Sequence, residues 1–224
     1  MKPREEPPAE AVAFDINENW VAVARVSLLA TVDAVARWNR QYVDPAVYRT
    51  DFGRLAKRYE AVRGRKLEEL MQKYPFAGRD EEEKRQNVAD TREFRRFVRR
   101  LRERRRKEGR VRQIARCVTR DPALIITEDP GENPQEEMIG VEEKRVERRE
   151  LRHRIRQTPF RKLIGTVEDK ARETGSVVVY VPSYRNSKVC PLHFAKLEDG
   201  GDWRTLHCFH GHVVARDVAA VLNM

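Results

Sequence analysis

The chain opens with two apolar runs, residues 12–16 and 20–28, held apart by Asn17-Glu18-Asn19. Val- and Ala-rich runs of alternating or continuous apolar character, bounded by turn residues, predict the two arms of a hairpin. A third strand is expected over 29–32. From residue 51 to 74 the period lengthens: Phe52, Leu55, Tyr59, Val62, Leu67, Leu70, Met71 and Tyr74 recur at three and four residues, predicting a helix that Pro75 and Gly78 end. A second long helix is expected over 81–117, with Phe94, Val98 and Leu101 on one face and arginines around the rest. Residues 123–127 read as a short buried strand, and 131–140, rich in Gly, Pro, Asn and acids, as a loop. Residues 141–156 read as a charged helix. Thr158-Pro159 opens another, carried by Phe160, Leu163, Ile164, Val167 and Ala171 as far as Gly175. Residues 176–181 are the clearest strand, and 215–222 a short terminal helix. Strands, then helices, then strand, helix, strand, helix predict an α/β fold: a mixed sheet with flanking helices.

The length, 224 residues, suits one domain with an appendage or two small ones. Hydrophobic residues make up 40% and charged residues 37%, enough Val, Ile, Leu and aromatics for a folded core. The net charge of +10 is concentrated: between Arg92 and Arg112 stand twelve basic residues and three acidic ones. Three acids cannot offset that stripe, so a polyanion is the expected partner, with Arg95, Arg99, Arg102 and Arg106 among the phosphate contacts. No run approaches the ~18 apolar residues of a membrane span, and the polar leader 1–10 lacks a signal-peptide core, so a cytoplasmic protein without membrane association is expected. No small-molecule substrate is expected either. Three cysteines, two of them among histidines, suit metal binding better than a disulfide framework.

Three carboxylates ask for partners. Asp15 lies inside an apolar strand, Glu128 at the exit of another, and Asp217 at the start of the terminal helix. A charge in or just past a buried strand costs several kcal/mol unless paired or bound to a cation. Singly, each is more often a cap or an arginine partner. Together they offer the hard oxygen ligands that two divalent ions, Mg2+ or Mn2+, about 3.5 to 4 Å apart need for phosphodiester hydrolysis. A second cluster holds four of the five histidines and two of the three cysteines: Cys190-Pro-Leu-His193, then Cys208-Phe-His210-Gly-His212. This predicts a closed structural Zn2+ site of two Cys and two His, with Asp199-Gly200-Gly201-Asp202 as the turn of a ribbon. Spacing does not choose between His210 and His212 as the fourth ligand, and His207 reads as a surface residue. A deaminase-type zinc is disfavoured because no His-x-Glu occurs. Cys117 is expected to be a small core hydrophobe. Trp20 and Trp38 are expected in the core, with Trp203 and Tyr184 as candidates to stack on bases.

Taken in order, Phe14-Asp15-Ile16-Asn17-Glu18-Asn19, Ile125-Ile126-Thr127-Glu128-Asp129, Ser187-Lys188-Val189-Cys190-Pro191 and Gly211-His212-Val213-Val214-Ala215-Arg216-Asp217-Val218-Ala219-Ala220 resemble the nuclease half of transposon-encoded TnpB (OrfB-type) proteins, relatives of the type V CRISPR effectors. The resemblance implies an RNase H-like (RuvC-type) nuclease over 11–184 and 213–224, with a basic helical insertion at 51–117 and an inserted zinc ribbon at 185–212. It implies Asp15, Glu128 and Asp217 as catalytic divalent-metal ligands, and Cys190, His193, Cys208 and His210 at the ribbon's ligand positions. The usual ribbon has four cysteines and a second knuckle one residue longer, so His212 stays a candidate. Where the family often reads Asp-Arg-Asp, this chain has Ala215-Arg216-Asp217, and Arg216, with Trp203 or Arg204, could touch single-stranded substrate. About eleven residues precede the first strand, so the region that grips guide RNA and target DNA in the family is not expected. The implied function is a metal-dependent DNA endonuclease domain, with guide RNA a further partner. The alternative is a catalytically inactive, zinc-containing nucleic-acid-binding remnant of a mobile element.

Overall fold

A computed structural model of the protein describes residues 8–17, 19–29, 43–129, 131, 155, 158–182, 186–201 and 204–224. The expected hairpin is present as β1 (Glu10–Ile16) and β2 (Trp20–Ser27), antiparallel with Asp15 opposite Ala22. β3 (Val43–Arg49), absent from the sequence reading, pairs with the outer side of β2. Pro45 is tolerated there because β3 is an edge strand. Leu29, where a third strand was expected to begin, lies in a turn. Residues 30–32 lie outside the described residues, as do residues 1–7, Trp38, Tyr184, Trp203, the loop beyond Gly131 and the expected helix over 141–156 apart from Ile155.

α1 (Phe52–Lys73) follows the predicted period. The single long helix expected over 81–117 is instead three: α2 (Glu81–Asp90), α3 (Arg92–Arg100) and α4 (Arg102–Val118). The first break is a capping event, since the Thr91 hydroxyl accepts from the Phe94 N–H at 3.2 Å. At the second, Leu101 takes extended dihedrals and buries its side chain, which a straight arginine-coated helix would not allow. After these helices come β4 (Leu124–Glu128), α5 (Phe160–Thr174) and β5 (Val177–Val181). Pro159, not Thr158, occupies the N-cap position of α5, and Gly175, at φ 75°, closes the helix.

The strands form a five-stranded mixed sheet in the order β3-β2-β1-β4-β5, with β4 parallel to both β1 and β5. Alternation in β1 and β2 separates large from small residues. Val12, Phe14, Ile16, Val21 and Val23 face a core built with Phe52 of α1, Val111, Ile114 and Val118 of α4, and Leu163 and Val167 of α5. The 51–117 segment therefore supplies one wall of the core. Ala13, Ala22 and Ala24 face the other way, and their small size lets α6 (Arg216–Asn223) lie against them through Val221. Between β5 and α6 a second sheet of three strands, β6 (Leu197–Asp199), β7 (Thr205–Cys208) and β8 (Val213–Ala215), makes the expected ribbon hairpin. Its turn needs glycine. A Cβ on Gly200 would fall 2.1 Å from the His207 ring, and Gly201 stands at φ 87°.

Candidate functional site

The alternation that sends Phe14 into the core sends Asp15 to the α6 face. In β4 the same rule buries Ile125 and Thr127 and turns Glu128 to the face of Ile126 and α6. Phe14 pairs with Thr127 in the parallel register, so the next residues, Asp15 and Glu128, stand side by side at the carboxyl ends of adjacent strands. Open α/β sheets characteristically build their sites at such ends. Asp217 arrives from the first turn of α6, where the helix dipole favours a negative charge. The Asn17 side-chain amide bridges two of the acids, donating to Asp15 Oδ2 at 3.2 Å and to Asp217 Oδ1 at 2.9 Å. Glu128 Oε1 accepts from the Asn186 amide at 3.1 Å. The Asn186 carbonyl in turn accepts from Asn223 at 2.7 Å, tying the third acid to the end of α6.

The electrostatics record this convergence. Burial, then the charges of Glu128 and Asp217, push the Asp15 carboxyl up from its ordinary 3.8 to about 7. Burial also raises Asp217, against the opposing pull of the Trp20 indole, Arg204, Asn17 and Arg216. Trp20 is half-buried, not in the core. Its ring lies 3.7 Å below the Arg204 guanidinium, and its Nε1 is buried without a hydrogen bond of normal geometry, though close enough to Asp217 to favour the ionised form. Like charges this crowded out of water call for a cation, and the donor set, all carboxylate oxygen, suits Mg2+ or Mn2+. The acids do not form a cage for one ion. Among the described residues, only Cys190, His193 and Cys208 bring three such ligand atoms within 4.8 Å of one another.

That second group lies in the ribbon. His193 Nδ1 is 3.6 Å from Cys190 Sγ and 3.4 Å from Cys208 Sγ, and His212 Nδ1 is 3.1 Å from Cys190 Sγ. The edges of a tetrahedral zinc site with Cys and His ligands are about 3.6 Å, so Cys190, His193 and Cys208 fit three corners of such a site, with His212 against Cys190. His210 is exposed, and its contact with Cys208 is made by its backbone N–H, which donates to Sγ at 3.4 Å. Burial and the neighbouring Cys208 hold the Cys190 thiol up, while burial and His193 hold the His212 imidazole down. Both the ribbon and α6 fall in one segment with known kin. Residues 160–224 match the family model Cas12f1-like, TNB domain. The TNB-like segment thus begins at α5, spans the Cys/His ribbon and ends with the helix that carries Asp217.

A solved structure of the mini-RNA-guided endonuclease CRISPR-Cas_phi3 superposes on 97% of this chain and 44% of that one, with a TM-score of 0.57 at 13% identity. The likeness establishes the shared fold, and the chain spans less than half the length of that endonuclease. No curated protein matches. Both findings accord with a relative of the TnpB and type V effector proteins.

The arginines of α1, α3 and α4 lie away from the acids, because those helices belong to the helical side of the sheet and the TNB-like α6 covers the other. Arg92, Arg95, Arg96 and Arg99 line a cavity of about 370 Å³, where Arg95 pairs with Asp90 at 2.7 Å. Arg106 and Arg110 of α4 line a larger one, about 680 Å³, with Arg54 and Arg58 of α1. A third, about 420 Å³, continues along α4 past Arg112 and Arg116 to Arg120. Cys117 lines this third cavity and is half-exposed, which corrects the expectation of a core thiol: the residues of its helix that face the core are Val111, Ile114, Ala115 and Val118. Arg216 is engaged by Asp199 of the ribbon at 2.8 Å. Asn17, Asn186, Trp20 and the α1 arginines were not singled out from sequence as parts of the site; an asparagine in a turn carries no mark of the carboxylate it will meet. Among the described residues, no helix is long and apolar enough to cross a membrane.

Proposed function

We propose that the chain is the catalytic part of a divalent-metal-dependent DNA nuclease of the RuvC type, with a structural zinc ribbon at 185–212 set into it. The observation that carries this reading is the meeting of Asp15, Glu128 and Asp217 on one face at the strand ends, with the Asp15 carboxyl pushed up to about 7 by its own neighbours. An all-carboxylate donor set gathered on one face suits divalent cations, two of which, when bound, would supply an activated water and charge to stabilise the leaving oxygen. The chain's own part is positional. Asn17 keeps Asp15 and Asp217 at a common reach, and Asn186 aims Glu128 at the same space. Cys190, His193, Cys208 and His212 would hold the zinc, with His210 outside the set. The arginine-lined cavities would grip backbone phosphate of flanking nucleic acid, DNA or a guide RNA, without reading sequence.

The test is cleavage of labelled single-stranded DNA with Mg2+ or Mn2+ added, beside an Asp15→Ala control. Metal-dependent cleavage that vanishes in the control supports the nuclease. Equal signal from both would overturn it and leave the rival reading, a nucleic-acid-binding chain without turnover.

A further inference from the structure

Glu128 is joined to the end of α6 by two side-chain amides in series. Asn186 Nδ2 donates to Glu128 Oε1 at 3.1 Å and to the Pro182 carbonyl at 3.0 Å. Asn223 Nδ2 donates to the Asn186 carbonyl at 2.7 Å and to the Val189 carbonyl at 2.8 Å. All four acceptors are carboxylate or carbonyl oxygens, which cannot donate, so each amide must present its nitrogen and each uses both of its hydrogens. Asn186 lies in a turn, outside any helix or strand ladder, and needs such an outside hold. Asn223 is a firmer base. It is the last residue of α6, the helix whose first turn carries Asp217 and which packs on the small-residue face of β1 and β2 through Val221. From Asp217 to Asn223 the helix rises about 9 Å. One docked helix thus serves two acids from its opposite ends, Asp217 directly and Glu128 through the amides.

We infer that Asn223 is a positioning residue for the divalent-metal site, holding Asn186 where its amide turns Glu128 toward Asp15 and Asp217. A glutamate has several rotatable bonds to fix, and beside two other carboxylates a free one would swing out toward water, where like charges separate. Glu128 does not swing away: its charge is second only to burial in raising the Asp15 carboxyl. The other arm of Asn223, to Val189, pins the residue before Cys190, so the segment that carries Asn186 is held at two points by one side chain. The inference deepens the metal-dependent reading above and rests on it. Measuring metal binding, not turnover, keeps the two failures apart.

The experiment titrates Mn2+ into the whole chain prepared with zinc and follows the free-ion signal by electron paramagnetic resonance. It compares wild type with Asn223→Ala, Asn223→Leu, Asn186→Ala, the Asn186→Ala/Asn223→Ala pair and Asp15→Ala. Asn223→Leu keeps the shape of the side chain and loses its hydrogen bonds. Both Asn223 variants should weaken Mn2+ binding by about 10-fold or more, and Asn186→Ala by about 10- to 100-fold, the range for groups that orient metal ligands. The pair should bind no more weakly than Asn186→Ala alone, because the two residues act through one bond. Zinc content should stay at wild-type level throughout. Wild-type affinity in Asn223→Leu would reduce the residue to packing and overturn the role. So would wild-type affinity in Asn223→Ala, a loss in the pair equal to the product of the single losses, or loss of zinc from both Asn223 variants. If Asp15→Ala binds Mn2+ as well as wild type does, the metal site itself falls and the inference with it.

Discussion

The two sheets of this molecule are held together by different physics. The five-stranded sheet closes over a core of Val12, Phe14, Phe52, Ile125, Leu163 and Val167, all essentially inaccessible to water, with helices along one face and α6 on the other. Among the described residues, the buried cluster at the three-stranded ribbon is smaller: Cys190, Leu197, Leu206, Cys208, Val214 and, from α6, Ala219, two of which are candidate metal ligands. A sheet with the first kind of core folds by burying apolar surface, whereas the second has little to bury, and an ion held by its thiols and imidazoles would supply the missing stability. The two meet at β8 and α6, where the strand ends and the helix carrying Asp217 begins one residue later. The three candidate acids therefore depend on both regions, two on the hydrophobic core and one on the helix that continues from the ribbon.

The sharpest test of that division is Asp217→Ala, which should lower metal-dependent cleavage by about 10³-fold, several kcal/mol of barrier. Zinc content and thermal melting should stay near wild type; a parallel loss of zinc would mean the acid and the ribbon are one unit. Leu163→Ala, by contrast, strikes the core alone. It should destabilise the protein to chemical denaturant by about 2–5 kcal/mol while the folded fraction keeps its zinc. Within the ribbon, His212→Ala should weaken zinc binding about 100-fold or more, and His210→Ala by less than about threefold, in a competition titration with a chromophoric chelator. The reverse order would exchange the two histidines.

The smallest effect concerns the acids without any cation. With its pKa raised to about 7, folded Asp15 keeps a proton that the unfolded chain releases near 3.8. Stability of the metal-free protein is then fully present below about pH 4 and declines as pH rises to about 7. Asp15→Asn should flatten that decline, by roughly 1–3 kcal/mol at pH 7, read from denaturation midpoints across the range. A wild-type profile that rises over this interval would contradict the crowding of the three acids.

Much of the architecture was legible because it rests on period. The hairpin, α1, α5, β5 and α6 each carry a repeat of two or three-to-four that survives local inspection. β3 escaped because Asp44 and Pro45 interrupt its pattern, and only pairing with β2 makes it a strand. The breaks at Thr91 and Leu101 escaped for a related reason: a polar helix has a weak periodic signal, and a cap or one buried leucine then decides where it ends. Asp15, Glu128 and Cys190 could be named in advance because charge or thiol in a strongly apolar or ligand-rich setting is costly without a partner. Asn17 could not, since one of the two acids it bridges lies 200 positions away.

From the residue order alone follow the strongly periodic strands and helices, the unusual placement of three acids, the metal-binding composition of residues 190–212 and the excess of arginine on one stretch. Those are local properties, governed by side-chain periodicity and the cost of stranding a charge. Tertiary structure alone decided that the acids share one face while the arginines line another, that Asn17 and Asn186 hold the carboxylates, and that His212, not His210, sits against Cys190. Each of these depends on which way a side chain points once strands have paired and helices have docked, and pairing joins positions that the order along the chain keeps apart.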